Sequence, residues 1–289
     1  HKTSSAASDV YKRQGKSLVK TTNRFSGIDW GTESIAIVYD YWWDTRNRKA
    51  YIFNPSNPNS KPKTLYDRNY QDIYSDPGSF LKTRNTFNKS VLMLHKGSAF
   101  LRGAGFSEEG QFPFIDKLNI TTLNKSRVYQ SKYTDKVEAI QDYNPATNEL
   151  IVRIESPTEY PNYYSKKTNG KRLTKITDFE NPFEELKNVK KEVITYKRDD
   201  GLELSGILYL PVNYDVEKKE KAPMILWAYP REFKDRKSAS QSNKNANRFT
   251  SPYYGSMVYW VTKGYVVLDD ASFPIIGEGD EEPNDSFRK

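Results

Sequence analysis

The stretch PMILWAYPREF, residues 223–233, decides the fold of the C-terminal half. From Met224 to Ala228 it is unbroken in apolar character, and it ends at Tyr229 ahead of Pro230, Arg231 and Glu232. A short, continuous apolar run reads as a buried parallel strand, and sites in open α/β sheets gather outside the carboxyl ends of such strands. The expectation is a buried strand over Met224–Tyr229 whose polar tip, Tyr229, faces a site.

The flanking segments fit that reading. Upstream, EVITYKRDDGLELSGILYLP (192–211) carries a turn at Asp199-Asp200-Gly201, with Leu202, Leu204, Leu208 and Leu210 on one face and the small pair Ser205-Gly206 between them. It reads as an antiparallel hairpin. Downstream, a polar loop runs to about Thr250. Ser251-Pro252 then offers an N-cap with proline at the first helical position, and Gly264 offers a stop. Met257, Val258 and Val261 form one apolar face within that frame, and the strand YVVLDD (265–270) follows. Hairpin, strand, helix, strand is the opening of an α/β domain whose sheet becomes parallel.

The N-terminal half follows a different pattern. From Arg24 to about Glu180, short alternating strands are separated by polar turns. ESIAIVYDYWW (33–43) passes through DTRNRK to AYIFNP (50–55) as a hairpin. NELIVRIESP (148–157) leads into NYYSKKTNGKRLTKIT (162–177), where Asn169-Gly170 signals a type I′ turn. Units of a few antiparallel strands recurring every 40–50 residues or so are characteristic of propeller blades, with a β-sandwich as the alternative. About three blades do not close a ring, so others are expected upstream. The fold class is therefore mixed: the last blades of a partial β-propeller over 15–180, then the truncated N-terminal part of an α/β domain over 181–289.

Composition narrows the function classes. Hydrophobic residues make up 36% of the 289 and charged residues 28%, enough for a packed core, while 21 tyrosines and 14 phenylalanines favour strands. No apolar run approaches the roughly 20 residues a membrane helix needs; the longest, around Met257–Leu268, is broken by Lys263 and Gly264. With no cysteine, disulfides and thiolate metal sites are excluded. The net charge of +8 is dispersed among acids with no basic stripe, which argues against a nucleic-acid partner. SSAASDVYKRQ (4–14) reads as translated sequencing-adapter sequence, so residues 1–14 are set apart from the fold. The chain stops at NDSFRK without a closing element and is expected to be an internal piece of a longer protein, its compartment unreadable from this stretch.

Three stretches together carry a family resemblance: RIESPTEYPNYY (153–164), LWAYPREF (226–233), and NRFTSPYYGS followed by GYVVLDDASFPIIGEGDEEPND (247–285). In this order they resemble the prolyl oligopeptidase family of serine peptidases, and within it the glutamyl endopeptidase branch. The resemblance spans nearly everything after residue 24. It implies a β-propeller that restricts access to an α/β-hydrolase domain, peptide substrates, no cofactor, and a serine nucleophile on a Gly-x-Ser-x-Gly elbow, with the acid and the histidine following. The chain departs from that pattern, because it contains no Gly-x-Ser-x-Gly. The histidines agree. A Ser-His-Asp mechanism needs an imidazole as base and acid, yet only His1, in the adapter-like stretch, and His95, an expected turn or strand-end residue, are present.

What the resemblance does place on this sequence is Tyr229, whose phenolic O–H would contribute to an oxyanion hole beside a backbone N–H. A rigid donor at a strand's carboxyl end suits that task. Arg231 and Arg248 lie in loops expected to face the site and are candidates for a substrate carboxylate, although pairing with a nearby acid such as Glu232 would equally satisfy Arg231. No metal site is assigned: GEGDEEPND (277–285) lacks the ligand spacing of a calcium loop, and the paired glycines Gly277/Gly279 and Gly103/Gly105 lack the dinucleotide fingerprint. The competing reading is a non-catalytic, strand-rich module that binds a peptide or glycan through exposed aromatics.

Overall fold

A computed structural model describes residues 17–218 and 221–286 of the chain. The adapter-like stretch at 1–14 lies outside the described residues. By internal contacts the chain divides into two compact units, one formed by the residues up to Asn69 together with Lys82–Met93, the other by Tyr70–Leu81 together with Leu94 onward.

In the first unit, β1 (Arg24–Thr32), β2 (Ile35–Trp42), β3 (Asn47–Phe53) and β4 (Lys63–Asn69) form an antiparallel sheet in sequence order. The expected hairpin is present, with Ala36 opposite Phe53 and Trp42 opposite Asn47. Ala36, Val38, Tyr51 and Phe53 form its core with Leu18, Val19 and Ile28 against them. The fully buried Asp40 accepts the Asn23 backbone N–H at 2.9 Å and the Tyr51 O–H at 3.3 Å, so its burial is compensated.

The second unit begins with β5 (Ser98–Gly103), β6 (Phe114–Asn119) and β7 (Lys125–Gln130), to which Ser79–Phe80 and Leu94–His95 add short ladders along β5. His95 sits opposite Ser98 at a tight hairpin whose corner residues, Lys96 and Gly97, have φ of 45° and 70°. A second antiparallel meander follows: β8 (Val137–Asn144), β9 (Glu149–Glu155), β10 (Asn162–Lys167) and β11 (Leu173–Lys175). Ladders of short strands in chain order are what the blade-like spacing predicts. The β10–β11 turn differs from expectation. Its strands pair Lys166 with Leu173, leaving 168–172 as a five-residue loop, and neither Asn169 nor Gly170 takes the positive φ that a type I′ turn requires.

The last sheet is built differently. Its strands are β12 (Lys191–Lys197), β13 (Glu203–Tyr209), β14 (Met224–Phe233) and β15 (Val266–Ile276), in the spatial order β12-β13-β15-β14. β12 and β13 form the expected hairpin, with Gly201 at φ 81° in its turn. Gly206 lets β13 lie close to β15, since a Cβ there would sit 2.6 Å from Leu268 Cδ1. β14 and β15 run parallel. One face packs Tyr209 and Val267 against Val258, Val261 and Leu186, and the other packs Leu202 and Leu204 against Ala239, Phe233 and Ile276. The connection between β14 and β15 includes a 3₁₀ helix, Met257–Lys263. It starts later than Ser251-Pro252 suggested because Ser256 is the cap, its Oγ accepting the Val258 N–H at 3.2 Å; it stops at Gly264, φ 85°, as expected.

The expected burial of Met224–Tyr229 is overturned. β14 is an edge strand that pairs with β15 on one side only, so Met224, Leu226, Trp227 and Tyr229 are 56, 56, 46 and 74% exposed. Apolar character signals a strand that suits burial on both faces, but it does not say whether a neighbour lies beyond it. No helix among the described residues is long and apolar enough to cross a membrane.

Candidate functional site

The parallel pair β14–β15 carries the polar tip noted in the sequence. Tyr229 stands opposite Ser272, and Arg231 opposite Pro274. Between Leu226 and Ala228 the register slips, so that Asp269 and Asp270 together oppose Trp227. Asp270 absorbs this bulge with φ 48°, a left-handed conformation uncommon for a residue other than glycine. Strain of this kind concentrates at functional sites.

The bulge sets the Asp270 carboxylate between two cations. Arg231 Nη2 lies 3.2 Å from Oδ1 and Lys244 Nζ 3.6 Å from Oδ2. Arg231 therefore pairs with an acid on the neighbouring strand. Lys244 is nearly buried, with 6% of its side chain exposed, and its Nζ also donates to Ser272 Oγ at 3.2 Å. Ser272 Oγ accepts the Ser205 backbone N–H at 3.3 Å, and Ser205 Oγ donates to Ser242 Oγ at 3.2 Å. Burial pushes the Lys244 ammonium below its usual pKa, against the pull of Asp270, while burial together with the charge of Asp270 raises Asp269.

Two cavities meet at Lys244. A recess of about 40 Å³ is lined by Tyr229, Arg231, Lys244, Asp270 and Ser272 among others. A larger cavity of about 500 Å³ includes Lys244, Ser205, Ser242, Phe106 and Tyr74 in its lining. The loop carrying Lys244 is pinned by its neighbours. Gln241 accepts the Ile73 N–H at 2.8 Å and donates to Asp72 at 2.7 Å, and the Ser242 N–H reaches the Tyr74 hydroxyl at 3.1 Å.

Arg248 lies in a different setting. Its side chain is exposed, its carbonyl accepts a hydrogen bond from Lys191, and Thr250 Oγ1 accepts another from the same Nζ at 3.0 Å. The adjoining Phe249 meets Tyr160 edge-on at 5.2 Å between centroids. The stretches 153–164 and 247–256 thus meet where β9 leaves its sheet, and Glu155 and Arg248 both act on Lys191. Asp270, Lys244 and Ser272 were missed in the sequence. Lys244 sits in a polar loop without periodicity. Ser272 could have been found as a residue near the carboxyl end of the strand after the helix, but its pairing with Tyr229 depends on a bulge that no local pattern announces.

No family model matches the chain. It is 35% identical over 296 residues to an Oryza sativa subsp. japonica protein described as "Probable glutamyl endopeptidase, chloroplastic", covering 97% of this chain and 31% of the relative. An Arabidopsis thaliana protein with the same description is 33% identical over 285 residues, covering 93% of this chain and 30% of the relative. The chain thus spans about a third of the length of these relatives. Among solved structures, a Bacteroides ovatus protein described as "a putative dipeptidyl aminopeptidase IV" superposes with a TM-score of 0.50 at 15% identity, over 92% of this chain and 43% of that one, a likeness of fold alone. By sequence, over nearly its whole length, the chain is similar to proteins described as probable glutamyl endopeptidases.

Proposed function

We propose that the chain is part of a serine-type peptidase that hydrolyses peptide bonds through an acyl-enzyme, with preference for a glutamyl residue before the cut. In this reading residues 15–180 are propeller blades and 181–289 open an α/β-hydrolase domain. The observation that carries the reading is Tyr229: it is three-quarters exposed on the open edge strand of a parallel pair, where the apolar run of β14 ends and the strand continues to Phe233. A donor fixed there can meet the charge that develops on a scissile carbonyl oxygen. Arg231 beside it supplies positive charge towards an acidic side chain, and Arg248 is a second cation on a more distant loop. The nucleophile on its elbow, the acid and the histidine would come from further sequence, which would also supply the strand that the open apolar edge of β14 calls for.

Reading the coding sequence beyond Lys289 tests this. The expected result is an open frame that encodes Gly-x-Ser-x-Gly and later an aspartate and a histidine. A stop codon directly after Lys289 would refute the assignment.

A further inference from the structure

We propose that Ser272 and Lys244 form an acyl-accepting pair, a serine nucleophile with a lysine base, in the recess beside Tyr229. The pair is built wholly from residues of this chain and does not depend on a nucleophile encoded elsewhere.

Serine needs a base within hydrogen-bond reach, and an amine serves once its proton has been made easy to lose. Lys244 Nζ is 3.2 Å from Ser272 Oγ with only 6% of its side chain exposed. The charged groups acting on it are Asp270 and Asp269, which favour the ammonium, and Arg231, which with burial disfavours it; burial is the largest effect and lowers the pKa. Ser205 N–H fixes the orientation of Ser272 Oγ from the opposite strand at 3.3 Å. The parallel register sets Ser272 directly across from Tyr229, one strand spacing or about 4.8 Å away. The lining of one recess therefore brings together Ser272, Lys244 and the side chain of Tyr229. Its rim is open at Tyr229 and at Phe273, 74 and 44% exposed, so a small activated acyl donor such as an aryl ester would present its carbonyl from solvent, with the rest of the molecule outside the 40 Å³ recess.

In the first step neutral Lys244 takes the Ser272 hydroxyl proton as Oγ bonds to the carbonyl carbon, and the Tyr229 O–H donates to the resulting oxyanion. Collapse of that intermediate breaks the bond to the leaving alcohol, which takes the proton back from Nζ. An ester on Ser272 remains.

The test is a fluorophosphonate probe on the 289-residue chain, in which an Oγ–P bond forms, fluoride leaves and Nζ receives the proton. Peptide mapping should place the label on Ser272, with the labelling rate rising with pH as Lys244 loses its proton. Ser272→Ala should abolish it, and Lys244→Met should slow it by about 10²-fold or more, in the range of a lost general base. Lys244→Arg discriminates the roles: it keeps a charge for Asp270 and a donor for Ser272 but is no base at accessible pH, so it should fold as the parent does and label as slowly as Lys244→Met. Absence of label on Ser272 in the folded parent, a label on another residue, or full labelling of Lys244→Arg would each overturn the proposal.

Discussion

Two sheets of the second unit, each of four strands, handle charge in opposite ways. In the β8–β11 meander one charged group is enclosed and satisfied. Glu138, with no side-chain exposure, accepts from Tyr129 O–H at 2.6 Å and from Lys166 Nζ at 2.9 Å, and Lys166 also reaches the Tyr129 hydroxyl. In the β12–β15 sheet, Asp270 is held in a strained backbone between Arg231, which is 55% exposed, and Lys244, next to an open recess. The first arrangement is a closed brace. The second leaves polar groups available for chemistry, and it coincides with the change from strands in chain order to a parallel pair. The difference teaches that it is the exposure of the network, more than the number of ion pairs, that sets the candidate site apart from the brace.

Cutting each network should expose that difference. Glu138→Ala leaves the Lys166 ammonium buried without its carboxylate and should cost about 3–5 kcal/mol in urea unfolding. Arg231→Met cuts only the exposed pair with Asp270 and should cost no more than about 1 kcal/mol. Equal costs would erase the distinction.

A smaller effect tests the join between the two sheets. Burial lowers Lys191 to about 8 from 10.5. Between those values the unfolded chain keeps a proton that the folded chain has released, so stability rises with pH across this window, by at most about 3 kcal/mol. It is fully gained above pH 10.5 and lost as pH falls through 8. Lys191→Met should flatten this part of the stability profile, and a profile unchanged by the substitution would remove Lys191 as its source. Smaller again, Gly206→Ala should destabilise by about 1–3 kcal/mol, because its Cβ forces Leu268 to move where β13 meets β15. A neutral result would mean that β13 and β15 have room to part.

Much of this architecture is legible from local pattern. The hairpins at 33–55 and 192–211 followed from alternation and turn residues, and Gly264 ended its helix as its backbone freedom predicts. The apolar run of β14 named a strand but misplaced its burial, because edge position is set by neighbours and not by the strand's own residues. Asn169-Gly170 misled for a related reason: the β10–β11 register, fixed by Lys166 opposite Leu173, leaves a loop too long for a two-residue turn. At the site, Tyr229 and Arg231 were visible because they come where the apolar run ends, although β14 continues through both to Phe233. Lys244 and Ser272 became neighbours only through the parallel crossover and the Asp270 bulge.

The central claim is that Tyr229 acts on the reacting oxygen, and the direct measurement is kcat for Tyr229→Phe in the product of the uninterrupted reading frame, with a glutamyl peptide substrate. The account predicts a fall of about 10²- to 10³-fold with KM little changed, as for loss of an oxyanion donor. An unchanged kcat would contradict it and leave Tyr229 as an exposed packing residue.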